Sequence, residues 1–113
     1  MNPGEVVIAH MPGYLGGTTK QRPALLLSLL PGPYQHLLLC GISTQLTNVL
    51  VNRDEPIQPG DKDFPHSGLH RPSIVRLSYL HAVDKNEVLG VIGLIDPARL
   101  DRLRTRQSDQ VRP

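Results

Sequence analysis

Lys20-Gln21-Arg22-Pro23 runs directly into the apolar stretch Ala24-Leu25-Leu26-Leu27-Ser28, which places a permanent cation at the mouth of a buried strand. Arg carries planar, forked donors that match phosphate oxygens, whereas Lys is a point charge. Pro23 fixes its own φ and turns Arg22 away from helical backbone towards an extended conformation, so the guanidinium is aimed. The chemistry this suits is recognition of a phosphate, or stabilisation of negative charge growing on one. An Arg beside a strand is also a common surface ion-pair partner, and the rest of the chain has to separate the two readings.

Other constellations are weaker. His66 and His70, with Asp61 and Asp63 nearby, have a metal-ligand spacing only if a helix puts both imidazoles on one face. The Pro and Gly content there argues against a helix, so no metal is expected. Asp54-Glu55 reads as a loop pair, not as paired carboxylates for acid–base work. Gly13, Gly16 and Gly17 precede a strand instead of a helix N-terminus, which excludes a nucleotide-binding phosphate loop. Cys40, the single cysteine, sits within an apolar run and is expected to be a buried, inert thiol without a disulfide partner.

The elements that must position these residues are mostly strands. Glu5–Ala9 is a β-branched run opened by Pro3-Gly4, and the Gly- and Pro-rich stretch Met11–Thr19 reads as a long, mobile hairpin connection. Ala24–Leu30 and Leu37–Ile42, joined by a turn at Pro31-Gly32-Pro33, are apolar at nearly every position, as expected of strands covered on both faces of a small barrel. After Val49-Leu50-Val51, residues 52–72 read as loop with at most one minor strand. Ser73–Leu80 is a strand, His81–Asp84 continues or re-enters the sheet, and Val88–Ile95 is either strand or irregular packing. Asp96-Pro97-Ala98-Arg99-Leu100 opens a helix, with an Asp N-cap, Pro at the first helical position and leucines three apart. That helix is expected to run to about Arg106 and give way to a disordered tail over residues 107–113.

At 113 residues the chain is read as a single domain, 1–113, able to hold a core without disulfide or metal staples. No apolar run is long enough to span a bilayer and no signal-like segment opens the sequence, so no membrane partner and a cytoplasmic location are expected. The net charge of +2 is local in origin: residues 97–113 hold five Arg against two Asp, and residues 1–96 hold seven basic against eight acidic residues. Strong nucleic-acid binders that rely on long-range attraction show broader basic surfaces, so phosphate recognition here has to be local. The C-terminal arginines read as a solvated face or as a docking strip for an acidic partner.

Taken in order, Gly4-Glu5-Val6-Val7-Ile8, a Gly-rich loop, Lys20-Gln21-Arg22-Pro23-Ala24-Leu25-Leu26-Leu27-Ser28, Ile42-Ser43-Thr44, the stretch from Ser67-Gly68-Leu69 to Arg76, and Gly90–Leu94 before the helix resemble the MazF/PemK family of bacterial toxin–antitoxin toxins. The resemblance covers nearly the whole chain. It implies a mainly β protein, an SH3-like small β-barrel of the CcdB/MazF-like kind with a C-terminal α-helix. It further implies a homodimer that cleaves single-stranded RNA without metal or other cofactor. A cognate antitoxin, through a disordered acidic tail, would hold it inactive.

Carried onto this sequence, the resemblance gives Arg22 a catalytic or phosphate-stabilising role and makes Arg76 a second site arginine. Ser43 falls where the family most often has a catalytic Thr followed by Ser, and because the order here is Ser43-Thr44, Thr44 shares the assignment. Two positions after Arg76, where some members have Asp, this chain has Ser78; the His that such members carry in the first loop has no counterpart beside Gly16-Gly17. Cleavage through the RNA 2′-OH needs a base, an acid for the leaving 5′-oxygen, and cations for the phosphoryl charge. Arg22 and Arg76 supply the cations, but a guanidinium is a poor base near neutrality. Of His10, His36, His66, His70 and His81, the candidates for proton transfer are His10, at the root of the first loop, and His81, beyond Arg76. Lys20, His10, His81 and Ser78 are the expected RNA contacts. The alternative reading is a non-catalytic toxin or binding module on the same barrel, gripping a protein or RNA, and Ser43 and Ser78 keep it open.

Overall fold

The computed structural model describes residues 1–11, 20–33 and 36–110. Among the described residues six strands, β1 (Glu5–Met11), β2 (Lys20–Leu29), β3 (His36–Ser43), β4 (Glu55–Ile57), β5 (Ser73–Asp84) and β6 (Val88–Leu94), precede one α-helix, α1 (Pro97–Gln110). They form one sheet in the order β4-β5-β3-β2-β1-β6, antiparallel at every pairing. Among the described residues no ladder joins β4 to β6, so the sheet curls without closing through hydrogen bonds. The mainly β architecture with a C-terminal helix is as the sequence predicts; the hydrogen-bonded closure of an ideal barrel is not formed.

The unbroken apolar runs are explained by two cores on the two faces of this sheet. Val6, Leu25, Leu27, Cys40, Ile42, Val75 and Leu77 form one, together with Ile57 of β4, Ile95, and Leu103 of α1. Val7, Ala9, Met11, Ala24, Leu26, Leu37 and Leu39 form the other. Neighbouring residues of β1 and β2 therefore alternate between cores, as side chains on a strand must. Leu38 packs against the first of these cores, half-buried. Leu27 has no exposed surface, and truncation of such a leucine to alanine costs about 2 to 5 kcal/mol.

The stretch after β3 crosses the first core and packs on β6 at very short range. A Cβ on Gly93 would lie 2.1 Å from the carbonyl carbon of Ser67, so only glycine lets that backbone approach. Val88–Leu94 is thus a strand, held against β1 on one edge and presenting Leu89, Val91, Ile92 and Leu94 outward.

At the start of α1 the Asp96 carboxylate accepts from the Ala98 amide at 3.1 Å, the capping role its position suggests. The helix then continues to Gln110 rather than ending near Arg106. Its arginines are not a solvated strip. Arg99 donates through Nε and Nη2 to Asp63 at 2.7 and 3.0 Å and through Nη1 to Glu55 at 2.7 Å. Arg102 forks onto Glu55, and Arg106 reaches the same carboxylate at 3.1 Å. These three arginines bind the helix to β4 and the loop that follows it, although Arg102 stays partly exposed; Arg104 faces solvent.

Candidate functional site

Arg22 lies within β2, opposite Ala9, and not in front of the strand. The strand begins at Lys20 because Pro23 excludes helix but not extended backbone, and because one side of this stretch carries no ladder. Pairing with β3 starts only at Ala24↔Gly41, which leaves Lys20–Pro23 as an edge on that side, where proline is tolerated. Arg22 is half-buried, and its Nε, shielded from solvent, has no hydrogen-bond partner among the described residues.

Gly41 is the hub of the surface around it. Across the sheet, Ala24, Gly41 and Arg76 form one row, and two residues on from Ala24 and Gly41, on the same face, come Arg22 and Ser43. Pairing between β3 and β5 jumps from Cys40↔Leu80 to Gly41↔Arg76, so Leu77, Ser78 and Tyr79 bulge from the ladder. The bulge lays the Tyr79 ring over Gly41, where a Cβ would stand 2.8 Å from Cδ1. Tyr79 meets His81 edge to face, with ring centroids 4.5 Å apart. Burial pushes the Tyr79 hydroxyl above its ordinary pKa, and the positive charge of Arg22 works against that rise. Nothing in the sequence marked Tyr79, because its place depends on the bulge and on Gly41 of another strand.

The remaining expected residues divide. Lys20 is exposed at the open end of β2, opposite Met11. Strand alternation puts His10, opposite Gln21, on the other face from Arg22, and its Nδ1 lies 3.3 Å from Glu87 Oε2. His81, opposite Leu39, shares the face of Gly41. Ser43 ends β3, with Oγ accepting from the Gln45 amide at 3.1 Å, and Thr44 is exposed just beyond it.

Arg76 is only 6% exposed. Its Nη2 donates to the carbonyls of Gln45 and Thr47, both at 2.7 Å, and its Nη1 donates to the carbonyl of Asn48 at 2.9 Å and to Asp54 at 3.4 Å. The guanidinium thus works on the backbone of the loop after β3. Asp54, read from the sequence as half of a loop pair, is a buried acceptor. It takes the Leu50 amide, the Ser78 amide and the Ser78 hydroxyl, at 3.1, 3.1 and 3.0 Å, and it pairs with Arg76. Glu55, its neighbour, is the acceptor for the α1 arginines, and a strand instead of a loop carries it.

Asp61 and Asp63 face Arg99, and among the described residues no three His, Cys, Asp or Glu side chains converge as a metal site. Cys40 is fully buried, and burial drives its thiol far above the ordinary range, as an inert core cysteine requires. No helix among the described residues is long and apolar enough to cross a membrane.

The whole chain is similar in fold to two solved mycobacterial proteins. One is the Mycobacterium tuberculosis toxin MazF-mt6, at 18% identity and a TM-score of 0.67 over 93% of each chain. The other is an endoribonuclease in complex with its cognate antitoxin from a mycobacterial species, at 16% identity and a TM-score of 0.64 over 96% of this chain and 92% of that one. No curated protein sequence matches. The family model for PemK-like, MazF-like toxins of type II toxin–antitoxin systems matches residues 2–108, and the chain belongs to that family.

Proposed function

We propose that the protein is a metal-independent endoribonuclease that cuts single-stranded RNA at a short sequence, using the RNA 2′-OH as nucleophile. The observation that carries this reading is the guanidinium of Arg22, held in a strand edge with a shielded Nε that meets no partner among the described residues, on the face that also carries Ser43 and His81. A cation so placed is ready to take the non-bridging oxygens of a phosphodiester as charge accumulates on them. Ser43 or Thr44 donates a hydroxyl to the same phosphate, and His81, half-buried against Tyr79, supplies the imidazole for proton transfer. Lys20, exposed at the open end of β2 on the face of Arg22, contacts the RNA strand beside the cut, whereas His10 lies on the other face and Ser78 is engaged with Asp54.

The toxin works as a cytoplasmic homodimer and needs no cofactor in this reading. Leu89, Val91, Ile92 and Leu94, exposed on an edge strand, supply apolar surface for a second subunit. A cognate antitoxin with an acidic segment inhibits it by occupying the Arg22 surface. The endoribonuclease–antitoxin complex among the solved structures of this fold supports a ribonuclease that an antitoxin binds.

The test is incubation of the purified protein with a long RNA in the presence of chelator, with mapping of the new 3′ ends. Cyclic phosphate ends at a recurrent short sequence, absent with Arg22→Ala, are expected. Intact RNA bound to the protein would favour the non-catalytic alternative, for which the engagement of Arg76 with its own loop is the supporting observation.

A further inference from the structure

Asp54 is the most heavily used acceptor near the candidate site, although it lies outside it. Its side chain has no exposed surface. One carboxylate gathers an amide from the end of the loop (Leu50), the amide and hydroxyl of the β5 bulge (Ser78) and the guanidinium of Arg76. Arg76 in turn holds the carbonyls of Gln45, Thr47 and Asn48. The segment that starts at Ser43-Thr44 is therefore fastened from inside at both ends by a single buried ion pair. A carboxylate so enclosed and so fully used as an acceptor is not a general base, since it has no path to a substrate proton.

We propose that Asp54 is the positioning residue of the site: through Arg76 and the Ser78 bulge it sets the backbone of residues 45–50, and with it the placement of the Ser43 and Thr44 hydroxyls against Arg22. The proposal rests on the ribonuclease reading for its catalytic consequence, but not for its structural one. Misplacing a donor by about 1 Å costs on the order of a hundredfold in rate. Ser78 Oγ stands 3.0 Å from Asp54 Oδ1, so an Asp at position 78 brings a carboxylate next to the place that Asp54 occupies. Moving the carboxylate from one residue to the other thus separates its location from its sequence position.

The experiment compares full-length wild type, Asp54→Asn and the exchange variant Asp54→Ser/Ser78→Asp, by cleavage kinetics on a metal-free RNA and by amide hydrogen exchange over residues 45–50. Asp54→Asn is expected to lower kcat by about a hundredfold with KM changed by less than about threefold, and to speed exchange in that segment. The exchange variant is expected to recover kcat to within about tenfold of wild type and to restore protection. Wild-type kcat in a folded Asp54→Asn protein overturns the proposal, as does failure of the exchange variant to recover either quantity. Where Asp54→Asn does not fold, the exchange variant decides: a folded, protected protein supports the proposal and an unfolded one overturns it. Wild type that cuts no RNA removes the ribonuclease reading instead, and the proposal is then decided by protection alone, lost in Asp54→Asn and regained in the exchange variant if Asp54 positions the segment.

Discussion

The guanidinium of Arg99 meets the carboxylate of Asp63 side-on, Nε to Oδ2 at 2.7 Å and Nη2 to Oδ1 at 3.0 Å, with both groups buried. This joins the first turn of α1 to the loop between β4 and β5, with Glu55 and Asp61 completing the shell around the cation. Removing one member leaves an uncompensated buried charge. Arg99→Ala is expected to cost about 3 to 5 kcal/mol in urea unfolding, far more than Arg104→Ala on the exposed side of the same helix. Equal losses would show that the network contributes nothing beyond packing.

The same network makes stability depend on pH. Burial pushes the Glu55 and Asp63 carboxyls up, but the hydrogen bonds and charges of Arg102, Arg99 and Arg106 on Glu55, and of Arg99 and the Asp96 amide on Asp63, outweigh it and hold both below the ordinary range. Because the folded values lie below the unfolded ones, the unfolded chain binds more protons in acid. The stabilisation is complete above the ordinary carboxylate values of about 4 and is lost as pH falls through the lower folded values. Melting temperature should drop steeply below about pH 4, and Glu55→Gln should be less stable at pH 7 with a shallower acid limb. An unchanged acid limb in that variant would contradict the assignment.

Arg22→Ala is expected to keep the fold and lose about a hundredfold or more in cleavage rate. Arg22→Lys should rescue poorly, since an ammonium cannot reproduce the fork. Ser43→Ala should be milder if its hydroxyl only orients the phosphate, and Thr44→Ala separates the two hydroxyls. Antitoxin binding by Arg22→Ala should weaken without disappearing. A folded Arg22→Ala protein that cuts at the wild-type rate would take this residue out of the reaction.

Gly41→Ala should displace Tyr79, because the added Cβ would stand 2.8 Å from the ring and a β-strand backbone offers it no other direction. The expected result is a change in Tyr79 fluorescence or ring shifts together with slower RNA cleavage, while secondary structure is retained. Wild-type cleavage with a displaced ring would show that Tyr79 plays no part in the site.

Sedimentation at micromolar concentration is expected to give twice the 12.5 kDa mass of one chain. Replacing Val91 and Leu94, both exposed on β6, with Lys should shift it to monomer. A wild-type monomer across that range would exclude the proposed pairing.

What the sequence by itself determined was whatever depends on neighbours along the chain. The apolar runs of β2 and β3, the strand at Ser73, and the Asp96-Pro97 opening of α1 follow from local sterics, capping and alternation, and the ordered motifs around Arg22, Ser43 and Arg76 were enough to suggest the toxin family. Only the tertiary structure decided what those residues touch. Arg22 entered the strand because β3 ends its pairing at Gly41, leaving an edge where Pro23 costs no ladder bond. Tyr79 reached the site through a bulge that the pattern of β5 does not announce. Asp54 and Glu55, adjacent in sequence, serve Arg76 and Arg99 on different elements, 22 and 44 residues away. An ion pair is chosen by the low-dielectric space in which two groups meet, and no one-dimensional pattern encodes that space.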